Sequence, residues 1–336
     1  MNVLLTCVGL RVDVVQAFRD ALARHGGGLV VGTDSSPIAP ALPFCDVQVR
    51  APLASDPGYA DHVLATARAH DCAMVLPCSE WDLVLLADLA PRLAEGGCAA
   101  FLPDGEATRR CVDKLVMADF LAERGLGTPR TFHPDALPDD LRFPVLVKMR
   151  EGRGSEGIFR CADRRELDFF LAYTPLPSMV QECCTGTEFS IDVLCDLDGR
   201  CLDAIPRSMI QSKGGEQIKG TTIEDPALVE VGRTVAEALG LRGPGTVQCF
   251  REAPDRHEVT DVNPRIGGAF PLPLAAGGDF PFRMLQLAAG EALEPRLGEY
   301  ARGVTLSRFF HQVLFDERDE ASLPPLGLAD GDGGGA

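Results

Sequence analysis

Near its C-terminal third the chain reads EVTDVNPRIGG at residues 258–268, and this stretch gives the strongest indication of the fold. Asp261 and Asn263 lie two residues apart in a β-branched run, and alternate residues of a strand share one face. The predicted strand ends at Pro264, and Arg265 follows with two glycines. Carboxylate and amide oxygens beside a fixed cation suit a magnesium ion that holds phosphate groups. The alternative is a buried strand followed by a turn.

The composition is that of an acidic globular protein. The chain has 336 residues, of which 46% are hydrophobic, and a formal net charge of −17. It is long enough for more than one core. The charge argues against nucleic acid or an anionic membrane as the main partner, because both require a positive field. The 12 cysteines are scattered and form no C-x-x-C pair. With no signal peptide and no bilayer-spanning apolar run, we expect a soluble, reduced, cytoplasmic protein.

The first third of the chain alternates apolar, strand-like runs with segments of helical spacing, which predict helices at 12–24, 58–70 and 82–95. This alternation predicts a doubly wound parallel α/β domain. A dinucleotide-binding domain is the rival interpretation. It is disfavoured because the first turn, residues 8–11, lacks the G-x-G-x-x-G pattern. Without those glycines, Asp34 at the end of the second strand is only a weak signal for ribose binding.

The middle of the chain places cations beside a glycine-rich segment. A single helix is predicted over 107–124 with Lys114 in its middle, where a lone lysine is normally a solvated surface group. The strand 143–150 carries Lys148 and runs into a glycine loop at 152–157 whose backbone N–H groups can wrap phosphate oxygens. A plain hairpin is the alternative. Residues 207–222 are predicted to be a polar flap that handles an anion, or an ordinary solvated loop.

The C-terminal third is predicted to be mainly strands around the opening stretch. Gln248 lies on a strand that hairpins back into 258–268, so it can face Asp261 across the sheet. Glu258, three residues before Asp261, should lie on the opposite face of the strand. A helix at 281–289 and a last strand at 304–314 follow, and the tail is rich in acidic residues, Gly and Pro.

Together these segments resemble the ATP-grasp superfamily, specifically its carbamoyl-phosphate-synthetase-like carboxylate–amine ligases. The similarity spans about residues 107–315 and is carried by short motifs in a fixed order, namely Asp113-Lys114, Val147-Lys148, 152–157, 180–182, 186–192, Val247-Gln248 and 261–265. The resemblance implies α/β and α+β architecture, with the N-terminal parallel domain followed by a two-lobed ATP-grasp fold with antiparallel sheets. The implied regions are an N-terminal domain at 1–105, a small lobe with linker helix at 106–183, and a large lobe with the metal site at 184–316. The composition of the tail at 317–336 predicts that it is disordered.

The resemblance also implies roles for individual residues. The nucleotide-binding residues would be Lys114, Lys148, Gly152, Gly154, Ser155, Gly157, Gln181, Glu182, Cys183, Cys184 and Glu188. Within that set the lysines would contact phosphates, the glycine loop would be a lid, and Glu188 would hold the ribose. The metal ligands would be Gln248, Asp261 and Asn263, and the catalytic residues would be Arg265, Lys148 and Arg207, with Arg207 binding the carboxylate substrate.

The implied activity is an ATP-dependent carboxylate–amine ligase that acts through an acyl phosphate and uses ATP with Mg²⁺, or with Mn²⁺ in its place. Its partners would be a small carboxylate and an amine, with no nucleic acid or membrane, and the enzyme would be a homodimer. One departure from the family is Asp261, which stands where Glu is usual and is one methylene shorter. It favours the alternative of a nucleotide-binding regulatory protein without catalysis. An ATP-grasp kinase is a third interpretation.

Overall fold

The computed structural model describes residues 1–152, 157–213, 216–309 and 311–316, with the side chains at 213 and 216 excepted. The predicted tail at 317–336 and two predicted loop residues, Gly154 and Ser155, lie outside the described residues. The chain divides into two compact units, with Met1–Ala100 in one and Phe101–Phe309 in the other. No helix among the described residues is both long and apolar enough to cross a membrane.

The first unit is built on a parallel sheet. Its elements in chain order are β1 (Asn2–Thr6), α1 (Val12–Arg24), β2 (Val30–Asp34), β3 (Val47–Arg50), α2 (Tyr59–Ala69), β4 (Cys72–Pro77), α3 (Leu83–Glu95) and β5 (Ala99–Ala100). In the described residues these strands form a five-stranded sheet in the order β3-β2-β1-β4-β5. The central strand β1 is fully buried from Val3 to Leu5, as expected when helices cover both faces of a parallel sheet.

Asp34 has a structural position at the carboxyl end of this sheet. Its two carboxylate oxygens accept hydrogen bonds of 2.8 Å from the backbone N–H groups of Gly9 and Ser36. The side chain therefore fixes the turns after β1 and β2, which accounts for an acid at this position without a ribose.

The second unit begins with two helices and a small sheet. The elements are α4 (Gly105–Val112), α5 (Lys114–Glu123), β6 (Thr131–Phe132), β7 (Val145–Met149), β8 (Phe159–Cys161), α6 (Arg164–Tyr173) and β9 (Ser178–Glu182). Over the described ranges the strands form a four-stranded antiparallel sheet in the order β6-β9-β7-β8. Val145, Val147 and Val180 pack with α6 in one core, so Lys148 faces the opposite side of the sheet.

A larger sheet follows. Its strands and the helices between them are, in chain order, β10 (Thr187–Cys195), β11 (Cys201–Lys213), β12 (Glu216–Thr222), α7 (Pro226–Leu239), β13 (Gly243–Ala253), β14 (Arg256–Asn263), α8 (Pro271–Ala275), α9 (Phe280–Ala288) and β15 (Thr305–Ser307). In the part of the chain that the structure describes, the strands form a six-stranded antiparallel sheet in the order β14-β13-β10-β11-β12-β15. Residues from α4, α5 and α7 share a core with one face of this sheet, so the other face is the one that polar side chains can occupy.

Three predicted elements were wrong in detail. The helix predicted over 107–124 is two helices, because Asp113 adopts extended backbone angles and caps α5 by accepting from the N–H groups of Leu115 and Val116. The predicted flap over 207–222 is largely the strands β11 and β12. The last strand is also shorter than predicted, because β15 covers only three residues.

Candidate active site

Backbone pairing aligns four polar residues in one row across four neighbouring strands of the six-stranded sheet. From β11 to β14 they are Arg207, Ser190, Gln248 and Asp261. The adjacent row contains Asp192, Thr246 and Asn263. These side chains face away from the helix-covered core, because the alternating residues Ile191, Val247 and Val262 are buried in it. The three predicted metal ligands therefore share one face of the sheet.

A β-bulge decides which residues of β14 reach this face. Gln248 is paired with Asp261 but Cys249 is paired with Val259, so Thr260 is an extra residue between the two pairs. Val259 and Val262 consequently both lie in the core although they are three residues apart. Glu258 is therefore on the same face as Asp261, and the predicted opposite facing was wrong because strict alternation does not hold across a bulge.

Lys148 extends from the end of β7 toward Gln181 and Asp261. Its Nζ donates a 2.8 Å hydrogen bond to Gln181 Oε1, and Gln181 Nε2 donates to Thr131 Oγ1 at 3.0 Å. Burial lowers the pKa of Lys148, while the nearby Asp261 carboxylate opposes this shift. A desolvated cation held beside a carboxylate is suited to receive an anionic group.

Lys114 connects the glycine loop with the predicted metal position. Because α5 begins at Lys114, the side chain leaves from the start of a helix and not from its middle. Its Nζ donates a 2.8 Å hydrogen bond to the carbonyl oxygen of Gly152 and lies 3.6 Å from Asp261 Oδ1. Both predicted phosphate-binding lysines thus lie near one carboxylate.

Only the ends of the glycine loop are described. At its far end, Gly157 has a φ of +65°, a conformation that favours glycine, and a Cβ there would lie 2.9 Å from Met149 Cε. At its start, the carbonyl of Gly152 is bonded to Lys114. The lid role assigned to the loop stays a prediction.

The predicted adenine hinge follows β9. Glu182 Oε1 accepts a 2.9 Å bond from Arg130 Nη1, so this carboxylate is engaged within the protein. Cys183 N donates to Pro144 O at 3.2 Å, and burial raises the pKa of the Cys184 thiol to about 12. These cysteines are therefore neutral thiols at neutral pH, and any polar recognition by them would come from the backbone.

Glu188 lies two residues before Ser190 in β10, so it is on the same polar face, and backbone pairing places it opposite Phe250. Burial raises its pKa, and the charges of Lys148 and Arg207 oppose this shift. Glu188 is therefore close to both cations, in keeping with its predicted place at the nucleotide. Its role at the ribose stays a prediction.

Arg207 is buried within β11, with 4% of its surface exposed. Its Nε donates to Asp192 Oδ2 at 2.6 Å and its Nη2 to Asp192 Oδ1 at 3.4 Å. Thr246 Oγ1 also donates to Asp192 Oδ1, at 3.0 Å. Because Arg207 is fixed by a fork of hydrogen bonds and neighbours Ser190, it presents a rigid cation at the end of the polar row.

Arg265 follows β14 in a tight turn. Its backbone N donates to Asn263 O at 2.9 Å, and its Nη1 donates to Ile266 O at 3.1 Å. A Cβ on Gly267 would lie 2.5 Å from Thr246 Oγ1 and 2.9 Å from Asp192 Oδ1. Glycine is therefore required at 267 because the turn packs against its own sheet.

Two family models match the chain. One, described as the PylC-like N-terminal domain, matches residues 3–101. The other, described as "ATP-grasp in the biosynthetic pathway with Ter operon", matches residues 175–308 and so includes every strand of the polar rows. Residues 175–308 of the chain belong to the ATP-grasp superfamily. The predicted superfamily and fold class of this ATP-grasp protein are thereby confirmed.

Solved structures with the same fold have low sequence identity. A biotin carboxylase from Campylobacter jejuni has a TM-score of 0.71 at 13% identity, covering 89% of this chain and 73% of that chain. An L-amino acid ligase from Bacillus licheniformis has a TM-score of 0.67 at 21% identity, covering 87% and 75%. The biotin carboxylase domain dimer of 2-oxoglutarate carboxylase from Hydrogenobacter thermophilus, in complex with MgADP, ADP and bicarbonate, has a TM-score of 0.67 at 18% identity, covering 90% and 72%. Curated protein sequences give no match.

Sequence reasoning gave no role to several residues of this ATP-grasp protein. Asp192 holds Arg207, Thr246 donates to Asp192, and Ser190 Oγ is fully buried with no hydrogen-bond partner among the described residues. The period-2 pattern of Glu188, Ser190 and Asp192 in β10 contained a usable signal, because it places three polar side chains on the face that carries Gln248.

Proposed function

We propose that the chain is an ATP-dependent carboxylate–amine ligase. The observation that carries the proposal is the convergence of Lys114 and Lys148 on Asp261, which shares its sheet face with Gln248 and Asn263. ATP brings a strongly anionic phosphate chain into a chain of net charge −17, so cations must be concentrated where it binds.

The donor set on the polar face fits Mg²⁺, with Mn²⁺ as a substitute. No cluster of three or more His, Cys, Asp or Glu side chains that suits a metal occurs in the described ranges. The candidate ligands are instead one carboxylate, Asp261, and the amide oxygens of Gln248 and Asn263. Mg²⁺ is commonly held by few protein carboxylates together with phosphates and water. When bound, it would neutralise phosphate charge.

The proposed reaction uses the basic residues of the site to hold the phosphates and the substrate carboxylate. Lys114 and Lys148 would hold the phosphates, and Arg265 would offset charge on the transferred group. A substrate carboxylate oxygen attacks the γ-phosphorus, the bond from that phosphorus to the ADP oxygen breaks, and an acyl phosphate forms. An amine then attacks the acyl carbon, loses a proton and displaces phosphate, giving an amide. Arg207, fixed by Asp192, would orient the substrate carboxylate.

The remaining assignments belong to the same proposal. Residues 1–105 would form the N-terminal domain, with 106–183 and 184–316 as the two lobes that enclose ATP. Glu182, Cys183 and Cys184 would meet the adenine, and Glu188 the ribose. A small carboxylate and an amine would be the partners, and the enzyme would act as a cytoplasmic homodimer. The acidic net charge supports the absence of nucleic acid and membrane from this set.

The test measures ADP and phosphate release by the full chain with Mg²⁺ and pools of small carboxylates and amines. We expect turnover only when both pools are present. Lys148→Ala and Asp261→Ala should each lower it about 10²–10³-fold, because Lys148 would hold the phosphates and Asp261 would hold the metal that neutralises them. Arg164→Ala is the matched control, since it breaks an exposed ion pair on α6.

Each other outcome has a definite meaning. A stable phosphorylated product that needs no amine would indicate a kinase. Nucleotide binding without turnover, together with no more ADP from the wild type than from the two alanine variants, would reject the ligase and favour a regulatory protein.

A further inference from the structure

An ion pair outside the predicted site joins the elements that carry the two lysines. Arg150, just after β7, donates from Nε to both oxygens of Asp113, at 3.1 and 3.0 Å, and from Nη2 to Oδ2. The side chains are 28% and 16% exposed. Asp113 immediately precedes Lys114, and Arg150 lies two residues after Lys148. The pair therefore bridges the bases of both lysines.

Backbone contacts strengthen this junction. Lys114 N donates to Arg150 O at 3.0 Å, and Arg150 N donates to Pro177 O at 3.0 Å. Asp113 also caps α5 through Leu115 N at 3.1 Å. Arg150 thus ties the start of α5, the end of β7 and the approach to β9 at one point.

We propose that Arg150 is a positioning residue that acts through Asp113 to set Lys114 and Lys148 at the spacing required by the phosphate chain. The inference rests on the proposed function, since it assigns both lysines to nucleotide phosphates. The planar guanidinium of Arg150 donates hydrogen bonds to the Asp113 carboxylate from two nitrogen atoms. This fixes the orientation of the two side chains as well as their distance. A lysine at 150 would keep the charge but lose this fork.

The geometry predicts an effect that depends on the phosphates. Loss of the pair should displace Lys114, whose Nζ lies near Asp261. It should leave the hinge at Glu182 and Cys183 in place, because that segment is held by separate bonds to Arg130 and Pro144. Binding of the phosphate chain should therefore weaken while binding of the base does not.

The experiment measures the affinities of ADP with Mg²⁺ and of adenosine by calorimetry on the full chain. The variants are Arg150→Gln, Arg150→Lys, Asp113→Asn and the Arg150→Gln/Asp113→Asn double. Asn at 113 retains a good helix cap. Arg164→Gln is the matched control in the same lobe, where Arg164 pairs with Asp168 at an exposed site.

We expect Arg150→Gln and Asp113→Asn each to weaken ADP about tenfold, and the double variant to weaken it no further, because one pair is being removed. Adenosine affinity should not change, and Arg150→Lys should restore only part of the ADP affinity. Equal weakening of ADP and adenosine, additive effects, or full ADP affinity in Arg150→Gln would overturn the inference. Wild-type protein that binds no ADP would instead overturn the nucleotide site itself.

Discussion

The two ends of the polar face of the six-stranded sheet differ in what covers them. At one end Asp203 lies 3.3 Å from Arg283 Nε, and their side chains are 3% and 7% exposed. At the other end Asp261 and Lys114 are 3.6 Å apart and are 23% and 14% exposed. Helix α9 carries Arg283 onto the first end, so the chain itself supplies the counter-ion. At the second end the carboxylate lies beside two lysines and two amide side chains.

Each end thus pairs a carboxylate with a cation, but the two pairs differ in burial and in the number of nearby cations. Burial raises the pKa of Asp203 and lowers the pKa of Arg283, each opposed by the charge of the other. Such a pair adds little net stability, but removing one partner leaves an unpaired buried charge. At Lys114 and Lys148 two cations lie near the single carboxylate of Asp261, and under the proposed function the phosphates of the nucleotide would bind there.

The covered end should show the largest effect on stability. Asp203→Ala leaves Arg283 buried without its partner and should lower the free energy of unfolding by about 3–5 kcal/mol in urea titrations. ADP formation per folded molecule should not change. The double variant Asp203→Leu/Arg283→Met should recover most of the loss, because an apolar pair replaces the ionic one. A single-variant loss as small as that of an exposed pair, about 0–1 kcal/mol, would remove the distinction between the two ends.

Asp192 lies between the two ends, and its replacement should have an intermediate effect on stability and also an effect on substrate binding. Asp192→Asn weakens the charged hydrogen bonds to Arg207 and should cost about 1.5–3 kcal/mol of unfolding free energy. It should also raise the KM for the carboxylate more than that for ATP. Thr246→Val is the matched control, since it removes one hydrogen bond to the same carboxylate and leaves the charge of Asp192 beside Arg207 in place. Equal costs and equal KM values for the two variants would show that Arg207 does not depend on the Asp192 charge.

The smallest effect concerns the pH dependence of stability that arises from Lys148, at the end of the sheet that carries Asp261. The pKa of Lys148 is lowered by burial from its ordinary value of 10.5, so the unfolded chain binds this proton more tightly than the folded one. The wild type should gain stability relative to Lys148→Met as the pH rises through the lowered pKa toward that ordinary value. Urea unfolding of both proteins from neutral to alkaline pH measures the difference. A difference that stays constant or falls with pH would mean that the lysine is not desolvated.

Much of this arrangement follows from local sequence patterns. Helix α1 was predicted at its observed ends, and α2 and α3 to within one residue of theirs, because apolar spacing and turn residues agree there. Asp261 and Asn263 were placed on one face because strand alternation holds after the bulge. The order of motifs then predicted the superfamily.

The errors arose where tertiary contacts override local pattern. The break between α4 and α5 depends on Asp113, which pairs with Arg150, a residue 37 positions away in sequence. β3 was not anticipated because it is a short edge strand, only partly buried, that pairs with β2 alone. The extent of β11 and β12 depends on pairing with each other and with β15. Such information lies between segments and not within them.

The extra residue at Thr260 changes how related sequences should be aligned. Without it, Glu258 and Asp261 would be separated by one residue and would keep the same facing. A relative that reads acid-x-acid at this strand would therefore match the acid-x-x-acid of this chain, provided that a one-residue gap is opened at 260. An ungapped alignment would equate Glu258 with a core residue, and a profile built in that way would lose the acidic position altogether.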